Sequence, residues 1–178
     1  MDKGTLLEIQ DSIRTIPDYP RPGVQFRDIT TLLGNARTFR RVIDELVEPW
    51  SVAKVDRVAG IEARGFIFAP ALAYRLNAGF VPIRKPKKLP AKTMSVTYQL
   101  EYATDSLEIH ADAIKPGQHV LLCDDLLATG GTAAAAVNLI RQLGGEITGA
   151  AFAVELNFLN GRAKLPGTDV FSLLKYDK

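Results

Sequence analysis

The stretch 119–132, HVLLCDDLLATGGT, sets two adjacent acids, Asp124 and Asp125, directly after an apolar run and follows them with a small, glycine-bearing turn. Like charges side by side repel, and an ordinary strand-to-helix turn needs one capping residue, so the second acid calls for a chemical purpose. Ionised carboxylates only accept hydrogen bonds, and a pair of them suits two vicinal hydroxyls such as those of ribose. The turn Ala128, Thr129, Gly130, Gly131 and Thr132 offers the complementary chemistry. Its glycines admit close backbone approach, and successive N–H groups at a helix start form a cradle for phosphate. Taken singly, each half is an ordinary solvated turn or a helix entry capped by Thr132. Joined in this order, they describe a ribose 5-phosphate site.

Two further stretches could hold anions. GIEARGF (60–66) follows an apolar strand and opens a helix. Its glycines have P-loop spacing, but Phe66 stands where that motif requires Lys followed by Ser or Thr, which excludes an ATPase reading. Arg64, at a strand end, is placed for an anion contact rather than a plain surface role. RKPKKLPAK (84–92) has five Lys or Arg in nine residues; such runs are usually solvated loops. Here the run follows a strand at the same end of the sheet as the other two loops. His110 and His119 stand apart and read as structural, so no His/Cys cluster offers a metal site made by protein alone.

The elements that must position these residues follow from periodicity. Leu6, Ile9, Ile13 and Ile16 predict an opening helix that Pro17 ends. Phe39, Val42, Ile43, Leu46, Val47 and Trp50 form one stripe of a second helix. From residue 55 short β-rich runs alternate with helices: strands at 55–61, 79–84, 119–123, 146–154 and 169–174, and helices at 66–77 and 132–143, the last closed by Gly144 or Gly145. Alternation of this kind predicts an α/β fold with an open, mainly parallel sheet flanked by helices, which binds ligands beyond the carboxyl ends of its strands. The insertion 85–118 breaks the rhythm; MSVTYQLEY and SLEIHA within it predict an antiparallel flap.

Composition narrows the function classes. The chain of 178 residues is ordinary globular material, 47% hydrophobic and 24% charged, and is read as one domain. A net charge of +2 gives no whole-molecule field for nucleic acid or an anionic membrane. Neither the amino terminus nor GFIFAPALAY (65–74) is apolar enough over sufficient length to be a signal or a span. With Cys123 the single cysteine, the expectation is a cytoplasmic protein.

Four apolar residues, two acids, two apolar residues and A-T-G-G-T together resemble the phosphoribosyl pyrophosphate-binding motif of the type I phosphoribosyltransferases. YPRPGVQFRDIT (19–30), RKPKKLP, YQLEYATDSLEIHADAIKPG (98–117) and FSLLKY (171–176) extend the similarity over nearly the whole chain, toward the members that use adenine. The resemblance implies Mg²⁺-dependent transfer of phosphoribosyl to adenine, giving AMP and pyrophosphate, with the metal arriving on the substrate. It implies that Asp124 and Asp125 bind the ribose hydroxyls and residues 128–132 the 5-phosphate. It assigns Ala63, Arg64, Arg84, Lys85 and Lys88 to pyrophosphate, with residues 86–100 as a lid.

Residues 1–34 are then expected to include a purine-binding hood. There Phe26 stacks on the base, main-chain groups of Gln25 and Arg27 read its edge, and Leu159 packs the other side. Without the resemblance, Phe26 and Leu159 read as core. Glu101 is implied as the residue handling the proton at purine N7, beside Tyr102, and Arg64 as a catalytic cation. The family is typically a homodimer, with RGFIFAP near the subunit contact. Departures from the family pattern are Gln25, Ala63 and Cys123, and Gln25 would act through its backbone. Two rival readings stay open: transfer to xanthine, hypoxanthine or orotate, and a non-catalytic nucleotide sensor on the same fold.

Overall fold

The computed structural model describes residues 3–99 and 104–177. The chain forms two compact units, residues 1–45 and 46–178. In the first, helix α1 (Lys3–Asp11) is followed by an antiparallel hairpin of β1 (Arg14–Pro17) and β2 (Gln25–Asp28), the short helix α2 (Thr30–Leu33) and most of α3 (Ala36–Val47). The helix that periodicity predicts through Ile16 therefore stops four residues after its apolar Leu7. Ser12 closes it, its hydroxyl donating to the Ile9 carbonyl at 2.6 Å. Beyond it, β-branched Thr15 and Ile16 favour a strand, Ile16 faces Phe26 across the hairpin, and Arg14 pairs with Asp28 at 2.5 Å. On α3 and the 3₁₀ turn after it, Val42, Ile43, Leu46, Val47 and Trp50 are buried as their spacing predicts.

The second unit is built on a five-stranded parallel sheet in the order β4 (Gly79–Ile83), β3 (Arg57–Ile61), β7 (His119–Leu127), β8 (Glu146–Leu156), β9 (Val170–Tyr176). Helices α4 (Gly65–Arg75) and α5 (Gly131–Gln142) cover opposite faces. Ala59, Ile61, Val120 and Leu122 share one apolar cluster with Ala136, Leu139 and Ile140 of α5. The alternate position Gly60 turns to α4, where an added Cβ would stand 2.6 Å from that of Ala69. As predicted, the insertion forms an antiparallel pair, β5 (Thr93–Gln99) with β6 (Thr104–His110). Met94, Val96 and Tyr98 of β5 pack on the α5 side of the core, and an Arg84–Glu108 backbone bridge ties β6 to the end of β4. Gly144, with φ +82, closes α5.

Candidate active site

Strands β3 and β7 are neighbours, yet the chain runs from β3 to the β4 edge and from β7 toward β9. A reversal of this kind opens a crevice beyond the carboxyl ends of the two strands. A cleft of about 280 Å³ lies there, lined by Glu62, Ala63, Arg64, Lys85, Asp124, Asp125, Ala128, Thr129, Gly130 and Thr132, with Ile61, Leu126, Leu127 and Ala133. Gly131 follows in the first turn of α5.

The expected strand end at Cys123 is displaced: β7 continues to Leu127, so both acids sit in paired strand rather than in a turn. Both nevertheless reach the cleft. Asp125, 6% exposed, pairs with Arg64 at 2.7 Å, and Asp124 Oδ1 accepts the Asp125 N–H at 2.9 Å. The start of α4 closes tightly on Asp124, since a Cβ on Gly65 would stand 2.9 Å from its Oδ1. Burial pushes the Asp124 carboxyl well above its ordinary value, and the Asp125 charge adds to the shift. Burial raises Asp125 as well, with Arg64 pulling the other way. Two crowded, buried carboxylates gain from added donors, which sugar hydroxyls or a cation can supply.

The turn before α5 is a main-chain construction. Gly130 has φ +77, and a Cβ on it would fall 2.2 Å from the Gly161 carbonyl oxygen. Reciprocally, a Cβ on Gly161 would fall 2.2 Å from the Ala128 oxygen, so two backbones meet with no room for side chains. Arg162 holds the second backbone in place. Its Nε and Nη2 donate to buried Glu155 at 2.7 and 2.8 Å, and Nη1 donates to the Val170 carbonyl at 2.7 Å. The N–H groups opening the twelve-residue α5 lack intrahelical acceptors and, with the helix dipole, favour negative charge at that rim of the cleft.

At the other rim Glu62 organises the cations. It accepts from Arg84 Nε at 2.8 Å and from the Lys85 N–H at 2.6 Å, while the Arg84 guanidinium lies 5.9 Å above the Phe66 ring. Burial pushes Glu62 upward, but the Lys85 amide and Arg84 outweigh it and hold the carboxylate below its ordinary value. Arg84 also donates to the Lys88 carbonyl at 3.1 Å; neither Arg84 nor the exposed Lys88 lines the cleft. Lys85 does, and its ammonium donates to Asp105 of β6.

Gln25, Phe26 and Arg27 lie on β2, where Tyr19 meets the Phe26 ring edge-on at 5.2 Å. Leu159 is half-buried in a 3₁₀ turn after β8 and does not line the cleft. Glu101 and Tyr102 lie outside the described residues. Glu62, Tyr98, Asp105 and Gly161 escape a reading by motif. The alternation of Tyr98 and Asp105 on two strands expected to pair was the available signal for those two; nothing in the chain pointed to Gly161, which is distant in sequence from the turn it backs.

Residues 31–170 match the phosphoribosyl transferase domain family. The adenine phosphoribosyltransferase of Acidobacterium capsulatum is 63% identical over 170 residues, covering 96% of this chain and 94% of that one. The chain belongs to the adenine phosphoribosyltransferases. The adenine phosphoribosyltransferase crystal structure from Rhodothermus marinus superposes with a TM-score of 0.93 at 48% identity, covering 98% of this chain and all, 100%, of that one. That from Saccharomyces cerevisiae, complexed with an imino-altritol bisphosphate and adenine, gives 0.91 at 40% identity, covering 97% and 100%. The family fold, a parallel sheet between helices with an antiparallel strand pair, is the one described above. Among the described residues, no helix is long and apolar enough to cross a membrane.

Proposed function

We propose that this chain transfers the phosphoribosyl group of 5-phosphoribosyl 1-pyrophosphate to N9 of adenine, forming AMP and pyrophosphate in purine salvage. The observation that carries the reading is a single cleft holding a carboxylate pair at one wall and a main-chain cradle at the next. Asp124 and Asp125 accept hydrogen bonds from the ribose hydroxyls, and Ala128, Thr129, Gly130, Gly131 and Thr132 hold the 5-phosphate. Ala63 and Arg64 with Lys85 receive the pyrophosphate; Arg84 and Lys88 complete the cationic rim once Arg84 exchanges Glu62 for phosphate. Gln25, Phe26, Arg27 and Leu159 bind adenine, and Glu101 handles its N7 proton.

As the anomeric carbon becomes cationic, negative charge grows on the leaving group, and Arg64, with Lys85 once it leaves Asp105, stabilises it there. Among the described residues no group of three or more His, Cys, Asp or Glu could hold a metal ion. What the cleft offers a divalent cation is the crowded Asp124–Asp125 pair, whose raised affinity for protons a cation would relieve. Mg²⁺ arriving on the substrate would supply further charge neutralisation for the pyrophosphate. The chain is read as a cytoplasmic homodimer; the aromatic surface of Tyr74, 86% exposed, and Phe80, 37% exposed, near RGFIFAP supports the association of two copies. A panel of free bases with phosphoribosyl pyrophosphate tests the assignment. AMP formation with adenine and at least a hundredfold lower turnover with hypoxanthine is expected, and the reverse preference would defeat it.

A further inference from the structure

A chain of polar contacts joins the two anion-binding rims through the flap. Lys85 of the pyrophosphate rim donates to Asp105 Oδ2, and the Tyr98 hydroxyl donates to the same oxygen at 3.2 Å. The Tyr98 oxygen also lies 3.2 Å from Thr132 Oγ1 in the phosphate cradle. Oδ1 of Asp105 is taken by the Ser106 N–H at 2.8 Å. A half-buried carboxylate beside a site for two anionic groups works against binding unless it governs the donors those groups need.

The directions of the protons follow from inventory. An ionised carboxylate only accepts, and a phenol has one proton. Burial pushes Asp105 upward, but Lys85 and the other donors hold it below its ordinary value, so it is ionised. With the Tyr98 proton on Asp105, the bond between Tyr98 and Thr132 must be donated by Thr132. Its hydroxyl therefore points at the flap and away from the cradle. For Thr132 to donate to a 5-phosphate, it must give up its bond to Tyr98, or Tyr98 must turn its own proton from Asp105 to Thr132 Oγ1. For Lys85 to serve pyrophosphate fully, it must likewise leave Asp105.

We infer that Asp105 is a positioning residue: it holds the Lys85 ammonium and, through Tyr98, the Thr132 hydroxyl in contacts that each phosphate group of the substrate must take over. Resting on the phosphoribosyl-transfer reading, it deepens it by naming a competitor inside the protein at both ends of the substrate. Relief of this competition is separable from simple removal of a negative charge, because it requires Lys85 at one end and Tyr98 at the other.

The test is calorimetric binding of inorganic pyrophosphate and of ribose 5-phosphate to the full chain, comparing Asp105→Asn in three backgrounds. In the otherwise native chain, D105N is expected to tighten both ligands about five- to tenfold. In a Lys85→Ala background its gain for pyrophosphate should vanish, and in a Tyr98→Phe background its gain for ribose 5-phosphate should vanish. Asp105→Glu, which keeps the carboxylate charge that Asn lacks, should restore weaker binding, a result that mere loosening of the flap would not give. Unchanged affinities in D105N, or gains that persist without Lys85 and Tyr98, would overturn the inference while leaving the transfer reading standing. Failure of the native chain to bind either ligand would remove both.

Discussion

At the residue scale, the Asp124–Asp125 pair sets function against stability. Because burial and crowding raise the Asp124 carboxyl above its ordinary 3.8, the folded chain binds that proton more tightly than the unfolded chain does. Stability from this group is then greatest at acid pH and is lost as pH rises above about 4, the reverse of a salt-bridged acid. Asp124→Asn should therefore raise the melting temperature at pH 7, by about 2–4 °C for each kcal/mol relieved, with the gain fading at pH 4 and below. The same variant should bind AMP more weakly. Thermal melts at both pH values with a parallel AMP titration check this, and a loss of stability at pH 7 would contradict the account. Arg64→Ala leaves Asp125 without its cation and, on the proposed role of Arg64, removes a donor from the leaving group. A fall in kcat of roughly 10²–10³ is expected, measured with saturating substrates.

At the scale of elements, the cradle depends on two glycines that the sequence does not present equally. Gly130 is legible within A-T-G-G-T, whereas Gly161 gains its meaning only because the turn after β8 folds back onto Ala128. Gly130→Ala combines a left-handed backbone with a 2.2 Å clash against carbonyl oxygen, and the turn must move to accept it. A stability loss on the order of 1–3 kcal/mol is expected together with at least tenfold weaker AMP binding. Denaturant unfolding and calorimetry check the pair of effects, and native AMP affinity in a folded variant would show that these amides do not hold the phosphate.

The parallel sheet and the flap were legible for a plain reason: buried β-rich runs and alternating strands announce themselves by period. The first helix is shorter than its periodicity predicts because Ile13 and Ile16 keep helical spacing although Ile16 belongs to a hairpin, whose pairing with residues 25–28 is not local. The extent of β7 was missed for a related reason. Two acids look like a strand end, and only lateral pairing of Asp124, Leu126 and Leu127 with β8 carries the strand past them.

At the scale of the whole molecule, a net charge of +2 leaves attraction of the substrate to local features, the opening of α5 and the basic rim at 62–88, rather than to a global field. These features come together because the sheet order places β3 beside β7, so that two loops far apart in sequence open into the same crevice. The loops that line the cleft were legible in sequence, since their composition is local. Sequence alone did not identify Glu62, Asp105 or Tyr98 as their organisers, since those roles arise from tertiary neighbours. The most direct measurement is a crystal structure of the protein with AMP bound. The 5-phosphate should rest on the amides of residues 128–132 and the ribose hydroxyls on Asp124 and Asp125. A nucleotide seated elsewhere, with this cleft holding only water, would contradict the account.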